Sequence, residues 1–87
     1  MQNIRVMYKQ YTNGIPTQYF GGQEYLYKTD LPVVIGSHVL APTKDDPEPT
    51  PAIVTQVNLP ESEINPAWAS RVKAITQWDD DYERRTF

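Results

Sequence analysis

The chain carries one histidine and no cysteine. Those two facts narrow its chemistry before any fold is considered. His38 has neither a second histidine nor a thiol to share a metal with, so carboxylates alone would have to complete a zinc-type site. It stands in an alternating apolar segment, and a half-exposed sheet histidine is the reading its setting supports. Asp79, Asp80 and Asp81 form the densest carboxylate cluster. Hard cations such as Mg²⁺ or Ca²⁺ take oxygen ligands, but a consecutive triplet lacks the spaced ligands and the glycine of a calcium loop. A solvated, self-repelling end is expected there, partly offset by Arg84 and Arg85. There is no GxSxG element and no glycine-rich phosphate loop. The expectation is a non-enzymatic protein with no catalytic residue, no metal and no cofactor.

The aromatic residues offer more. Tyr8, Tyr11, Tyr19, Phe20, Tyr25 and Tyr27 crowd the first third of the chain, with Arg5, Lys9 and Lys28 among them. Small barrels bind single-stranded nucleic acid by stacking bases on rings while cations follow the phosphates, which would give Arg5, Lys9 and Lys28 that role. Exposed tyrosines serve a protein interface equally well, because they offer a large contact area at low entropic cost. Some of the rings must also fill the core. A second candidate surface is KDDPEPT, residues 44–50, where Pro47 and Pro49 favour extended chain and Asp45, Asp46 and Glu48 stay solvated. It either simply joins two strands or forms an acidic finger that docks on a basic surface of a partner protein. Trp68 and Trp78 are expected to be structural.

Charge bears on the choice. The net charge is −3. Residues 1–43 hold three basic and two acidic groups, a net of +1, and residues 44–87 hold five basic and nine acidic groups, a net of −4. Phosphate neutralisation drives nucleic-acid affinity, and this chain has no overall basic excess to supply it.

The elements that would position these residues are short. Ile4, Val6 and Tyr8 alternate with Arg5, Met7 and Lys9, which predicts a strand over residues 3–10. YTNGIPTQYFGGQ then carries three turn signals and reads as a long connection or a hairpin with an irregular tip. EYLYK, residues 24–28, is a second strand. Gly36 supplies a turn after Pro32, and residues 37–41 form a third strand. Residues 52–58 form a fourth, with Ile53 and Val57 facing one way and Val54 the other. Asn65-Pro66 is a helix start, giving a short helix from Pro66 to about Ser70. Residues 72–78 form the last strand, before a polar tail over 79–87.

This pattern predicts one mainly β domain over residues 1–87: a small five-stranded SH3-like or related barrel, with one short helix before the last strand. A split barrel or an α+β sandwich is the alternative. No apolar run approaches the ~20 residues of a membrane helix. The N-terminus has no signal-peptide pattern, so the expected setting is cytoplasmic. An unpaired edge or exposed tyrosines could support a homodimer.

The segment from Ile35 to Pro42, IGSHVLAP, followed by AIVTQV at 52–57 and by NPAWASRVKAITQWD, resembles a pattern found in small phage-encoded proteins. Their pattern is "hGDhVhVP", a variable loop, "AxVhxV", a short helix and a final strand, where h is apolar. Ser37 stands here where aspartate is usual. The resemblance covers about residues 23–79. The same "GDxVxVP…AxVxxV" element occurs in SH3-like barrels and in the N-terminal DNA-binding domain of the primosomal replication helicase, which binds single-stranded DNA ends. The phage proteins imply no established activity, and no binding residue of the helicase domain maps onto this chain. The resemblance therefore implies a phage accessory protein that binds a host or phage factor in the host cytoplasm. A single-stranded nucleic-acid-binding barrel is the alternative.

Overall fold

Asn13 and Gly14 both take left-handed backbone angles, with φ of 53° and 80°. A two-residue turn of this kind matches the twist of the strands it joins. The result is one long hairpin, β1 (Gln2–Thr12) and β2 (Ile15–Thr29). The computed structural model describes residues 1–43 and 48–81. Within them lie β3 (His38–Ala41), β4 (Thr50–Gln56), a 3₁₀ turn (Glu61–Glu63), one helical turn α1 (Pro66–Ala69), β5 (Ala74–Ile75) and β6 (Gln77–Trp78). The protein is mainly β. Asp45 and Asp46 lie outside the described residues, as does the tail beyond Asp81.

The strands form one six-stranded sheet in the order β5-β2-β1-β4-β3-β6. All pairings are antiparallel except β2 with β5. The strands at the two ends of that order are separated in the chain by Thr76 alone. Residues 74–78 thus touch β2 through Ala74 and Ile75, and β3 through Gln77 and Trp78. The expected single last strand is instead two two-residue strands, because it changes partner at Thr76.

One alternative is decided and one expectation corrected. The turn-rich segment 11–23 takes the hairpin form of its two readings and is strand for most of its length. Its glycines and proline serve as irregularities within a ladder, with register shifts between Val6 and Tyr8 and between Lys9 and Tyr11. Side chains stitch these shifts: Gln10 Nε2 donates to the carbonyl oxygens of Gly21 (2.9 Å) and Tyr8 (3.2 Å), and Thr17 Oγ1 donates to the Gln10 carbonyl (2.9 Å). In β4, Arg5 pairs with Gln56 but Val6 pairs with Val54, so Thr55 is an extra residue. Such a bulge breaks the alternation of faces. Val57 therefore packs against the same core as Val54, and not on the side of Ile53.

The core is Ile4, Val6, Tyr27, Val33, Val39, Ala41, Ala52, Val54 and Ile75. Ile4 faces Tyr27 and Val6 faces Tyr25 across the β1–β2 ladder. Thr29 is buried but satisfied: its hydroxyl donates to the Ile75 carbonyl (2.7 Å) and accepts from the Leu31 amide (3.1 Å). This ties β5 to the end of β2.

Candidate tyrosine groove

Tyr25 and Tyr27 alternate onto the face of β2 that meets Val6 and Ile4, and Tyr8 continues that face along β1. The consequence is a connected set of rings. Tyr8 and Tyr25 stack with centroids 4.5 Å apart and planes 15° off parallel. The hydroxyl oxygens of Tyr8 and Tyr27 lie 2.5 Å apart. The Tyr27 hydroxyl donates to the Pro42 carbonyl oxygen at 2.7 Å.

These bonds fix a direction. A carbonyl can only accept, and a phenol has one proton. Tyr27 spends its proton on Pro42, so Tyr8 must donate to Tyr27. The chain of donation runs Tyr8 to Tyr27 to Pro42. Toward the open groove, the Tyr8 oxygen is left with acceptor capacity only.

Burial pushes the Tyr8 hydroxyl above its ordinary value, and the nearby Tyr25 adds to this. Tyr27, 5% exposed, is pushed far above the tyrosine range, first of all by burial. Both rings stay neutral at physiological pH and neither brings a negative charge.

Beside this set lies an open groove of about 630 Å³, lined by Tyr8, Tyr25, Leu26, Tyr27, Pro42, Thr43, Arg71 and Lys73. Tyr25 is 39% exposed and offers a free part of its ring. Among the described residues, no acidic one appears in that lining. Lys73 is held in place by the backbone, since its carbonyl accepts from the Lys28 amide at 3.0 Å. The surface is aromatic and cationic on a chain whose net charge is negative.

The aromatic residues named from sequence fall into three settings. Tyr8, Tyr25 and Tyr27 form the groove wall. Tyr11 and Tyr19 are exposed toward the tip of the β1–β2 hairpin. Phe20 packs inward against His38, with ring centroids 5.5 Å apart, and lies under the Lys9 ammonium at 5.2 Å.

The three cations named from sequence have separate engagements. Arg5 Nη1 donates to Gln56 Oε1 (3.2 Å) and sits 3.8 Å from Glu63. Lys9 is only 4% exposed. Lys28 lines a different depression with Met1, Asn3 and Glu61. Glu48 is exposed.

Sequence reasoning missed Arg71 and Lys73. Arg71 lies in the turn after α1 and Lys73 immediately before β5, so no local pattern marked them as neighbours of the tyrosines. It also missed Asp79, grouped with its neighbours as a solvated carboxylate but only 4% exposed. The Asp79 amide donates to the His38 carbonyl (3.0 Å), and Asp79 Oδ1 accepts from the Asp81 amide (3.3 Å). Burial lowers the His38 imidazole below its ordinary value; Asp79 pulls it back up and Lys9 pushes it further down. Among the described residues, no group of three or more His, Cys, Asp or Glu side chains could hold a metal ion. No helix among them is long and apolar enough to cross a membrane.

Compared with protein-family models, curated proteins and solved structures, the chain matches none.

Proposed function

We propose that this protein is a non-enzymatic binding module whose tyrosine groove holds an extended, acidic segment of a partner protein. The observation that carries this reading is the groove itself: stacked, hydrogen-bonded rings with an exposed Tyr25 face, beside Arg71 and Lys73. Rings already locked by Pro42 and by one another lose little freedom when a partner arrives. Arg71 and Lys73 would select acidic side chains, and the Tyr8 oxygen would accept from a backbone or side-chain donor. The small-barrel reading belongs to this proposal. Residues 74–78 run from the edge of β2 to the edge of β3, and the groove's cations, Arg71 and Lys73, come just before them in the chain. The setting, a phage accessory protein acting on a host or phage factor in the host cytoplasm, rests on the motif resemblance alone.

A second reading has one observation in its favour. A base could stack on Tyr25 while its phosphate meets Lys73 or Arg71. A longer cationic track is needed to hold a strand. Arg5 is paired with Glu63 and Lys9 is buried over the Phe20 ring, so neither extends one. Fluorescence polarisation with three labelled probes separates the readings: an acidic proline-containing peptide, a basic peptide of equal length and an oligothymidylate. Saturable binding of the acidic peptide, lost in Tyr25→Ala and Lys73→Glu, is the expected result. Binding of the oligonucleotide alone would replace the protein reading with the nucleic-acid one, and binding of none would remove the groove as a contact surface.

A further inference from the structure

Beyond Tyr8, β1 no longer pairs with β4, whose last partner on that strand is Tyr8 with Ala52. Among the described residues, the outer edge of β2 is paired only at Lys28 and Thr29, by β5. From Gln10 to Phe20 the hairpin is therefore a two-stranded ribbon among the described residues. Such a ribbon is marginally stable in water by itself. Its tip exposes Tyr11, Ile15 and Tyr19, the last 66% exposed. The molecule is elongated, with extents of 38 × 25 × 20 Å.

Natural edge strands are usually blunted by charges, lysine above all. Here residues 10–23 contain no Asp, Glu, Lys, Arg or His at all, although 22% of the chain is charged. The nearest charges are Lys9 on one side and Glu24 on the other. A net charge of −3 opposes the meeting of two copies through most surfaces. The uncharged ribbon is a stretch over which two copies meet without like charges facing each other.

We infer that the occupant of this edge is a second copy of the chain: two β2 strands pair antiparallel about a twofold axis perpendicular to the ribbon. An antiparallel pair of identical strands is self-complementary and closes as a dimer. Pro16 has no amide proton and cannot donate to such a ladder, so the pairing runs over about residues 17–23. Tyr19 lies one residue from the centre of that span, so the two copies of Tyr19 are diagonal neighbours across the seam. The pairing leaves the groove cations outside the seam, so it does not depend on the groove reading.

The test is sedimentation equilibrium on the full chain, from micromolar to millimolar concentration, with amide hydrogen exchange alongside. The expected result is a monomer–dimer equilibrium that added salt strengthens, because screening weakens the repulsion of like net charges without cutting a neutral seam. Tyr19→Lys brings like charges together across the ladder and should weaken the dimer roughly tenfold or more. Val34→Lys, an exposed apolar site outside the ribbon, should leave it unchanged. Exchange of amides in residues 17–23 should slow as concentration rises. A monomer at every concentration would overturn the inference. So would equal effects of Tyr19→Lys and Val34→Lys, or a dimer whose concentration-dependent protection lies outside residues 17–23.

Discussion

Replacing Tyr27 by phenylalanine removes one oxygen and two hydrogen bonds. Because donation runs from Tyr8 through Tyr27 to Pro42, the change deprives the Pro42 carbonyl of its donor and the Tyr8 hydroxyl of its acceptor. A net hydrogen bond contributes about 0.5–1.5 kcal/mol, and a buried polar group left unpaired costs about 1–3 kcal/mol. Tyr27 is buried and Tyr8 half-buried, so Tyr27→Phe should cost about 1–3 kcal/mol in all. Tyr8→Phe removes one donor only and leaves Tyr27 on Pro42, for about 0.5–1.5 kcal/mol. In a domain of this size each kcal/mol moves Tm by roughly 4–8 °C, so the two variants separate clearly. Urea denaturation of the wild type, both single variants and the double variant completes a cycle. Once Tyr27 lacks its oxygen, Tyr8 has no bond left to lose, so the double variant should cost scarcely more than Tyr27→Phe. Tyr8→Phe costing as much as Tyr27→Phe, or additive costs in the double variant, would refute the directed chain.

Alkaline stability follows from the same rings. The pKa values of Tyr8 and Tyr27 are raised in the folded state above the ordinary 10.0. Their contribution is therefore complete below pH 10 and falls as the unfolded chain loses protons that the folded chain keeps. Tm should be flat through mildly alkaline pH and drop above about 10, and Tyr27→Phe should show a shallower drop. At the C-terminal side, Asp79→Ala should destabilise by about 1–3 kcal/mol, whereas Asp80→Ala should stay within about 0.5 kcal/mol, as thermal denaturation would show. Gly36 has φ of 95° and its amide donates to the Val54 carbonyl. Gly36→Ala should cost about 1–2 kcal/mol. Gly21→Ala should be close to neutral in the same assay, since φ there is ordinary and the space around an added Cβ is open.

The mainly β architecture was legible because Ile4, Val6, Val39 and Val54 stand within short alternating runs, and all four are in the core. The fate of segment 11–23 was legible only as one of two alternatives, a connection or a hairpin. Asn13, Gly14 and the Gly21–Gly22 pair announce turns to a local reading, but only Asn13–Gly14 reverses the chain; Gly22, with φ of 82°, serves a register shift instead. The same limit explains Val57, since a bulge at Thr55 depends on the pairing of β4 with Arg5 and Val6 and leaves no mark in β4 alone. For the groove, the crowding of tyrosines was visible, but not which rings would meet. Tyr8 and Tyr25 are seventeen residues apart and come together through hairpin register. Arg71 and Lys73 reach them only because residues 74–75 lie along β2. Asp79 was misjudged for a similar reason: a carboxylate next to two others looks solvated until the chain around it is fastened to β3.

The sharpest test of the groove is a two-dimensional NMR titration of the ¹⁵N-labelled chain with the acidic proline-containing peptide. Saturable shifts should cluster on Tyr8, Tyr25, Leu26, Thr43 and Lys73, and should vanish in Lys73→Glu while the rest of the spectrum is kept. Shifts centred on any other surface, or no saturation at millimolar peptide, would contradict it.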